Sequence, residues 1–434
     1  MTSRREFVQA STLAAVAVAA PKGLVHPAIP DQGEALPPSV AALQSMRSRA
    51  RPITVDERRG RIANARRLMA VRSLDALMLT GGTSLDYFTG IRWGLSERLL
   101  ALVIPKSGRA FLVCPAFEEE RAREQVAEGP LQGEVDFATW EEDASPYQLV
   151  ADGLGARGFA TGRVGMEETV RFVFADGVAQ VVPALTVASG TPVTAGCRAV
   201  KDAHEIELMR LASEVTLKAY EAAYKALADG MTQDRFGELV SQAHRRLGFT
   251  GGAGVQVGEY SALPHGSVTP QVIREGTILL IDGGCAVEGY RSDISRTFVL
   301  GKPTDKMKRV FEIEFRAQSA ALAAARPGVE CQAVDAAARE LITDAGYGPD
   351  YKYFTHRVGH GIGMDGHEWP YLVRGNMLKL EPGMTFSDEP GIYIRGEFGV
   401  RIEDDMVITE TGAELLTPQS PSLEDPFGDV AGTR

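Results

Sequence analysis

The chain has 434 residues, 44% of them hydrophobic and 24% charged, and a formal net charge of −11. That is enough apolar material for two ordinary domains with separate cores. The acidic balance argues against a nucleic-acid partner, and no apolar run is long enough to cross a bilayer.

The N-terminus reads Ser3-Arg4-Arg5-Glu6-Phe7-Val8 and runs into a small-residue stretch from Ala10 to Ala20. Paired arginines ahead of a mildly apolar segment resemble a twin-arginine export signal, so residues 1–28 are expected to be the signal and its cleavage region. The mature chain is then expected in the periplasm or outside the cell. The alternatives are a disordered basic tail or an amphipathic first element.

Residues from about Ala28 to Pro52 are rich in Pro, Ser and Ala and read as a linker or arm. Asp56 to Val71 has helical spacing and many arginines, and Asp75 to Leu79 is a short apolar strand. Tyr87-Phe88-Thr89-Gly90, Leu99 to Ile104 and Ala110 to Val113 continue a strand-rich region, and Glu118 to Val126 is helical. Alternating strands and helices up to about Thr194 predict an α/β domain, spanning residues 29–195 with its leading arm.

Residues 196–434 form a second expected domain. Ala203 to Ala228 is a strong helix, with Asp202 to cap its start and Gly230 suited to its end. Thr232 to Leu247 gives another, and strands follow. The pattern then recurs: Thr304 to Ala325 is helical, Pro327-Gly328 breaks it, Glu330 to Ala345 is helical again, and strands follow. Helix, helix, hairpin, repeated once, predicts an internal duplication with the functional site between the halves. This rests on pattern alone, since sequence identity between the halves is not evident.

Five side chains with metal-ligand chemistry fall in these hairpins and between them: Asp282, Asp293, His360, Glu389 and Glu403. Four carboxylates and one imidazole make an oxygen-rich donor set whose charge two divalent cations would satisfy. Manganese suits the set best; cobalt, iron or zinc would also be accepted. A hairpin centred near Val287 and Glu288 would place Asp282 opposite Asp293. A turn centred on Gly396 would place Glu389 opposite Glu403. Like charges directly opposed destabilise a sheet, so each pair calls for a cation or for protonation. The alternative is two solvated acidic hairpins, which the apolar runs flanking every one of these residues argue against. Cys114, Cys197, Cys285 and Cys331 show no paired spacing and do not make a zinc module. Cys285 reads as a buried thiol, with a redox role as the lesser reading, and disulfides stay open.

Taken as a set, these motifs resemble the pita-bread metallopeptidases, in the branch of prolidase and X-Pro aminopeptidase. The match covers most of the chain past Arg198, and Asp75-Ala76-Leu77 with Tyr87-Phe88-Thr89-Gly90 resembles the N-terminal domain of that branch. The resemblance implies an α+β pita-bread catalytic domain with internal pseudo-duplication, preceded by a creatinase/prolidase-like α/β domain. It further implies that Asp282 binds one metal, that Asp293 and Glu403 bridge both, and that His360 and Glu389 complete the second. His265, His356 and His367 match catalytic or substrate-binding histidines, the alternative for each being a structural hydrogen bond. Arg401 and Tyr393 match a pair that stands behind the ligands, the alternative being ordinary ion pairing and packing. His265 is followed by Gly266, where X-Pro enzymes often carry an aromatic residue, which puts the shape of the substrate pocket in doubt. Trp369-Pro370-Tyr371 and Trp93 read either as pocket lining or as packing.

The expected activity is removal of the N-terminal residue from short peptides with proline second, by a dipeptidase or an aminopeptidase. Glu389 is the expected proton carrier. The alternatives are a hydrolase of another amide or ester on the same fold, or a non-catalytic binding protein that has kept it. Assembly into a homo-oligomer, a dimer or tetramer, is expected from the resemblance.

Overall fold

A computed structural model describes residues 35–428; the expected export signal at residues 1–28 lies outside them. The first half is built on a six-stranded sheet in the order β4-β3-β2-β1-β5-β6. Its strands are β1 (Ala76–Thr80), β2 (Ala101–Pro105), β3 (Ala110–Pro115), β4 (Val135–Trp140), β5 (Arg163–Met166) and β6 (Thr186–Ser189). Every residue of β1, β2 and β3 is buried, as apolar runs without alternation demand when both faces of a sheet are covered. The covering helices are α1 (Val55–Val71), α2 (Thr83–Thr89), α3 (Glu119–Ala127), α4 (Pro146–Gly155), α5 (Phe172–Val181) and α6 (Thr191–Arg198).

Two expectations change here. Tyr87-Phe88-Thr89 is not strand but the end of α2, closed by Gly90 in a left-handed conformation at φ 80°. Burial of Leu85, Tyr87 and Phe88 on one short helix outweighs the β-propensity of the aromatic run. The described part of the leading arm is not a free linker: Val40 is fully buried, Ser39 donates to the Ala222 carbonyl at 2.8 Å and Arg246 donates to the Ala41 carbonyl at 2.9 Å. The chain leaves α6 after Arg198, and Lys201 lies in the link to the next helix.

The second half repeats one unit. Helices α7 (Ala203–Tyr224) and α8 (Gln233–Leu247) pack on strands β7 (Gly251–Val257), β8 (Ile278–Val287) and β10 (Ile294–Val299), with β9 (Tyr290–Arg291) pairing beside β8. Helices α9 (Asp305–Ala324) and α10 (Cys331–Ile342) pack on the sheet β12-β11-β13-β16-β17. Those strands are β11 (Gly359–Gly361), β12 (Glu368–Leu372), β13 (Thr385–Asp388), β16 (Asp404–Ile408) and β17 (Ala413–Leu415). A separate ribbon pairs β14 (Gly391–Ile394) with β15 (Phe398–Arg401). Asp202 and Glu205 form a reciprocal capping box at the start of α7, and the side chains of Thr232 and Thr304 cap α8 and α9. Two helices stop short of their expected ends: α7 closes at Tyr224, and α10 gives way after Ile342 to a wider turn. Each unit has its own core, one around Tyr220, Phe236 and Phe298, the other around Phe311, Phe386 and Met406. Truncating one of these phenylalanines would cost about 3–5 kcal/mol.

Candidate metal centre

Turn chemistry sets the register of the first acidic hairpin. Glu288 and Gly289 both have positive φ, 48° and 91°, which makes a two-residue turn of the kind that matches strand twist. The pairs are therefore Val287 with Tyr290 and Asp282 with Ser295. The expected opposition of Asp282 and Asp293 is corrected: the turn is centred on Glu288 and Gly289, and Asp293 lies diagonal to Asp282, in the gap between β9 and β10. Side chains two apart share a face, so Asp293 still points where Ser295 points. A Cβ on Gly284 would collide with the Ser292 carbonyl, so this glycine lets the Ser292-Asp293 segment close over β8. In the second hairpin the expected register holds. Ile392 pairs with Val400 and Asp388 with Asp404, and the same register carried through the break at Glu389 sets it opposite Glu403. His360 enters from β11, the neighbour of β13.

These elements bring the five expected ligands together. Ligand atoms of Asp282, Asp293 and Glu403 lie within 4.8 Å of one another, as do those of His360, Glu389 and Glu403, and those of Asp293, His360 and His367. His360 Nε2 is 3.1 Å from Glu389 Oε1 and 3.8 Å from Asp293 Oδ2. The Nδ1 of the same ring lies 3.1 Å from the Gly361 carbonyl, which fixes the N–H there and leaves Nε2 facing the cluster. Ser295 Oγ sits 3.0 Å from Asp282 Oδ1 and 2.5 Å from Glu403 Oε2.

Arg401 brings a guanidinium into contact with two of the four carboxylates. Arg401 Nη2 is 2.6 Å from Asp282 Oδ2, and its Nε is 3.7 Å from Glu403 Oε2. Its Nη1 donates to Tyr393 OH at 3.0 Å, and that hydroxyl lies 2.7 Å from His356 Nε2. The balance leaves net negative charge out of water. Burial, and then the charges of Asp282, Asp405 and Glu389, push the Asp293 carboxyl well above the usual range. Burial, with Glu389, Asp293 and Asp282, does the same to Glu403. Burial would also raise Glu389, but the adjoining His360, and then His356 and Arg401, outweigh it and hold it below the usual carboxylate range. A cluster of hard oxygen donors and one imidazole that repel one another in this way fits divalent cations.

The cluster opens into a cavity of about 440 Å³. His265, His356 and His367 line it, as does Arg401, while Tyr393 stands behind His356 and Arg401. The rings of His367 and His360 stack with centroids 3.8 Å apart. Burial and the neighbouring His360 hold His367 down at about 4, and burial lowers His356. Trp369 and Trp93 are not among the lining residues of this cavity. Four residues here were not singled out from the sequence: Ser295, Tyr351, Arg357 and Val373. Ser295 was findable, since it stands two residues after Asp293 on the same face. Arg357 sits inside the His356-to-His360 motif, but its direction depends on Tyr371, eleven residues beyond His360.

Comparisons with known proteins agree with this architecture. Residues 207–410 match metallopeptidase family M24, and residues 61–200 match the creatinase/prolidase N-terminal domain. The chain is 36% identical over 363 residues to the Xaa-Pro dipeptidase of Lactobacillus delbrueckii subsp. lactis, covering 81% of this chain and 95% of that protein. It is 37% identical over 359 residues to the probable dipeptidase PepE of Mycobacterium tuberculosis, covering 81% and 92%. Among solved structures, dipeptidase PepE from Mycobacterium ulcerans superposes with a TM-score of 0.80 at 34% identity, over 86% of this chain and 99% of that one.

Proposed function

Because this chain belongs to metallopeptidase family M24, we propose that it is a dinuclear-metal exopeptidase that removes the N-terminal residue from short Xaa-Pro peptides. The observation that carries the reading is the convergence of Asp282, Asp293, His360, Glu389 and Glu403 on one cavity. Asp282 would hold one cation, His360 and Glu389 the other, with Asp293 and Glu403 between them. Manganese suits these donors best, and cobalt, iron or zinc are the alternatives. When bound, the cations supply Lewis acidity and an activated water at neutral pH.

The chain's own groups do the rest. Glu389, held ionised, accepts a proton from the attacking water and passes it to the leaving nitrogen as the bond between the scissile carbonyl carbon and the proline nitrogen breaks. That nitrogen belongs to a tertiary amide, so it needs a proton at the moment of cleavage. His367 is neutral at pH 7, and its Nδ1 lies 3.5 Å from Arg357 Nη2. Its Nε2–H is therefore free to donate to the developing oxyanion. The chain from His356 through Tyr393 to Arg401 holds Asp282 and Glu403 in place. His265 faces the same space as a substrate-binding group.

Two further parts belong to this reading. Arg4-Arg5 and the alanine-rich stretch after them support export by the twin-arginine route to the periplasm or beyond. Exposed Phe172, Val200 and Trp369 line one apolar groove, which supports assembly into a dimer or tetramer. The test of activity is an assay of the manganese-reconstituted protein on Xaa-Pro dipeptides, Xaa-Pro-Xaa tripeptides and Xaa-Ala controls. Cleavage of the proline peptides alone is expected. Indifference to proline, or no cleavage with two metals bound, would move the activity to another amide or ester.

A further inference from the structure

The ring of His367 is held by little of its own. It stacks on His360, its Nδ1 lies 3.5 Å from Arg357 Nη2, and among the described residues it makes no other hydrogen bond. The residue is exposed on the loop between β11 and β12, so its place beside the ligand cluster is decided by the backbone on either side.

That backbone is fastened by the other half of the molecule. Two residues before His367, Asp365 offers one oxygen to each of two donors: Thr83 Oγ1 donates to Oδ1 at 2.6 Å, and Arg198 Nη2 donates to Oδ2 at 2.5 Å. One residue after His367, Glu368 accepts from the same Arg198 nitrogen and from Lys201 Nζ at 2.6 Å. Thr83 opens α2 and Arg198 closes α6, so both belong to the half built on the six-stranded sheet. The half that carries the ligands fastens only the entry to the loop. There the Arg291 N–H donates to the Gly363 carbonyl at 2.8 Å, and its Nε donates to the Met364 carbonyl at 3.1 Å.

The two anchors are unlike. Glu368 is buried between two cations, and its bonds tie the halves together. The Asp365 side chain is 38% exposed, and a hydroxyl bonded to such a carboxylate adds little to global stability. Its effect falls on where the loop sits.

We propose that Thr83 is a positioning residue for the reaction: through Asp365 it holds His367 where its Nε2–H meets the developing oxyanion. The ligand-bearing half then depends on the first half for the placing of one of its own catalytic groups. This rests on the Xaa-Pro reading above and on the part it gives His367. Misplacing such a donor by about 1 Å can cost on the order of 10²-fold in rate.

The test measures Ala-Pro cleavage by the metal-loaded full chain as wild type, Thr83→Val, Thr83→Ser, His367→Ala and the double variant Thr83→Val with His367→Ala. Thr83→Val keeps the shape, loses the hydroxyl and leaves Arg198 on Asp365. Its kcat should fall by roughly 10-fold, with KM and metal stoichiometry held. Thr83→Ser keeps the hydroxyl and should retain the wild-type rate. With His367 already replaced, Thr83→Val should have little further effect, since residues that act as one unit are not additive. Amide hydrogen exchange in the loop should quicken in Thr83→Val. An equal fall in kcat with and without His367 would mean that Thr83 acts by another route, and would overturn the proposal. A wild-type kcat in Thr83→Val would overturn it too, while leaving the Xaa-Pro reading standing. A wild type that binds metal and does not cleave Ala-Pro would overturn that reading, and this inference with it.

Discussion

Two buried sets of charges meet at the loop between His360 and Glu368, and they are built on opposite rules. On one side the α6–α7 link bonds the loop: Arg198 bonds Asp365 at 2.5 Å and also bonds Glu368, Lys201 bonds Glu368 at 2.6 Å, and Thr83 donates to Asp365 at 2.6 Å. Close by, Arg61 of α1 pairs with Glu205 of α7 at 3.2 Å. Every charge there has an opposite partner, which offsets the cost of leaving water. On the other side Asp282, Asp293, Glu389 and Glu403 crowd together, and Arg401 contacts Asp282 and Glu403 among them. The paired set holds two parts of the fold together. The unpaired set keeps repulsion in reserve, and that imbalance marks the functional site.

The comparison breaks most visibly at Asp293. Asp293→Ala should lose metal and activity together, with turnover down by roughly 10³-fold; metal analysis that found full stoichiometry in the variant would refute the bridging position. Glu389→Gln should keep metal and lose roughly 10²–10³-fold in kcat, the range for a positioned proton carrier. A rate like the wild type's would remove Glu389 from the proton path.

On the paired side the effect should appear in stability rather than in metal content. Glu368→Gln leaves Arg198 and Lys201 short of their anion and should cost about 3 kcal/mol in denaturant unfolding, with metal stoichiometry unchanged. A loss of metal in that variant would mean the two sets are not separate.

The smallest effect is the pH dependence of the metal-free protein. The folded pKa values of Asp293 and Glu403 are raised, so their neutral forms are favoured in the fold. Their contribution is fully present below the unfolded carboxyl range near pH 4 and is lost as pH rises towards their folded values. The melting temperature of the metal-free protein should therefore fall from pH 4 towards pH 8. Manganese at 100 times its Kd should restore about 2.7 kcal/mol at the upper end. A flat profile would mean that the carboxylates do not repel as their geometry implies.

The two hairpins differ in how far they could be read. Gly396 centres its turn where local chemistry places it, so Glu389 faces Glu403 as expected. In the other hairpin the turn rests on Glu288 and Gly289 together, and the register shifts by enough to seat Ser295, not Asp293, opposite Asp282. Tyr87-Phe88-Thr89 misled for a related reason: a short aromatic run carries no period long enough to tell helix from strand, and burial decides.

By itself the sequence determined the repeat of helix pair and hairpin, the Asp202 cap that starts α7, and the five side chains that the fold brings to one cavity. Each of these follows from local spacing or local chemistry. Tertiary structure alone decided which carboxylates Arg401 reaches, that Arg198 and Lys201 brace the His367 loop, and that Arg357 lies on Tyr371 facing the cavity. Those contacts join residues brought together by packing across strands and across the two halves of the chain, and no local pattern encodes which side chain a long, charged arm will meet.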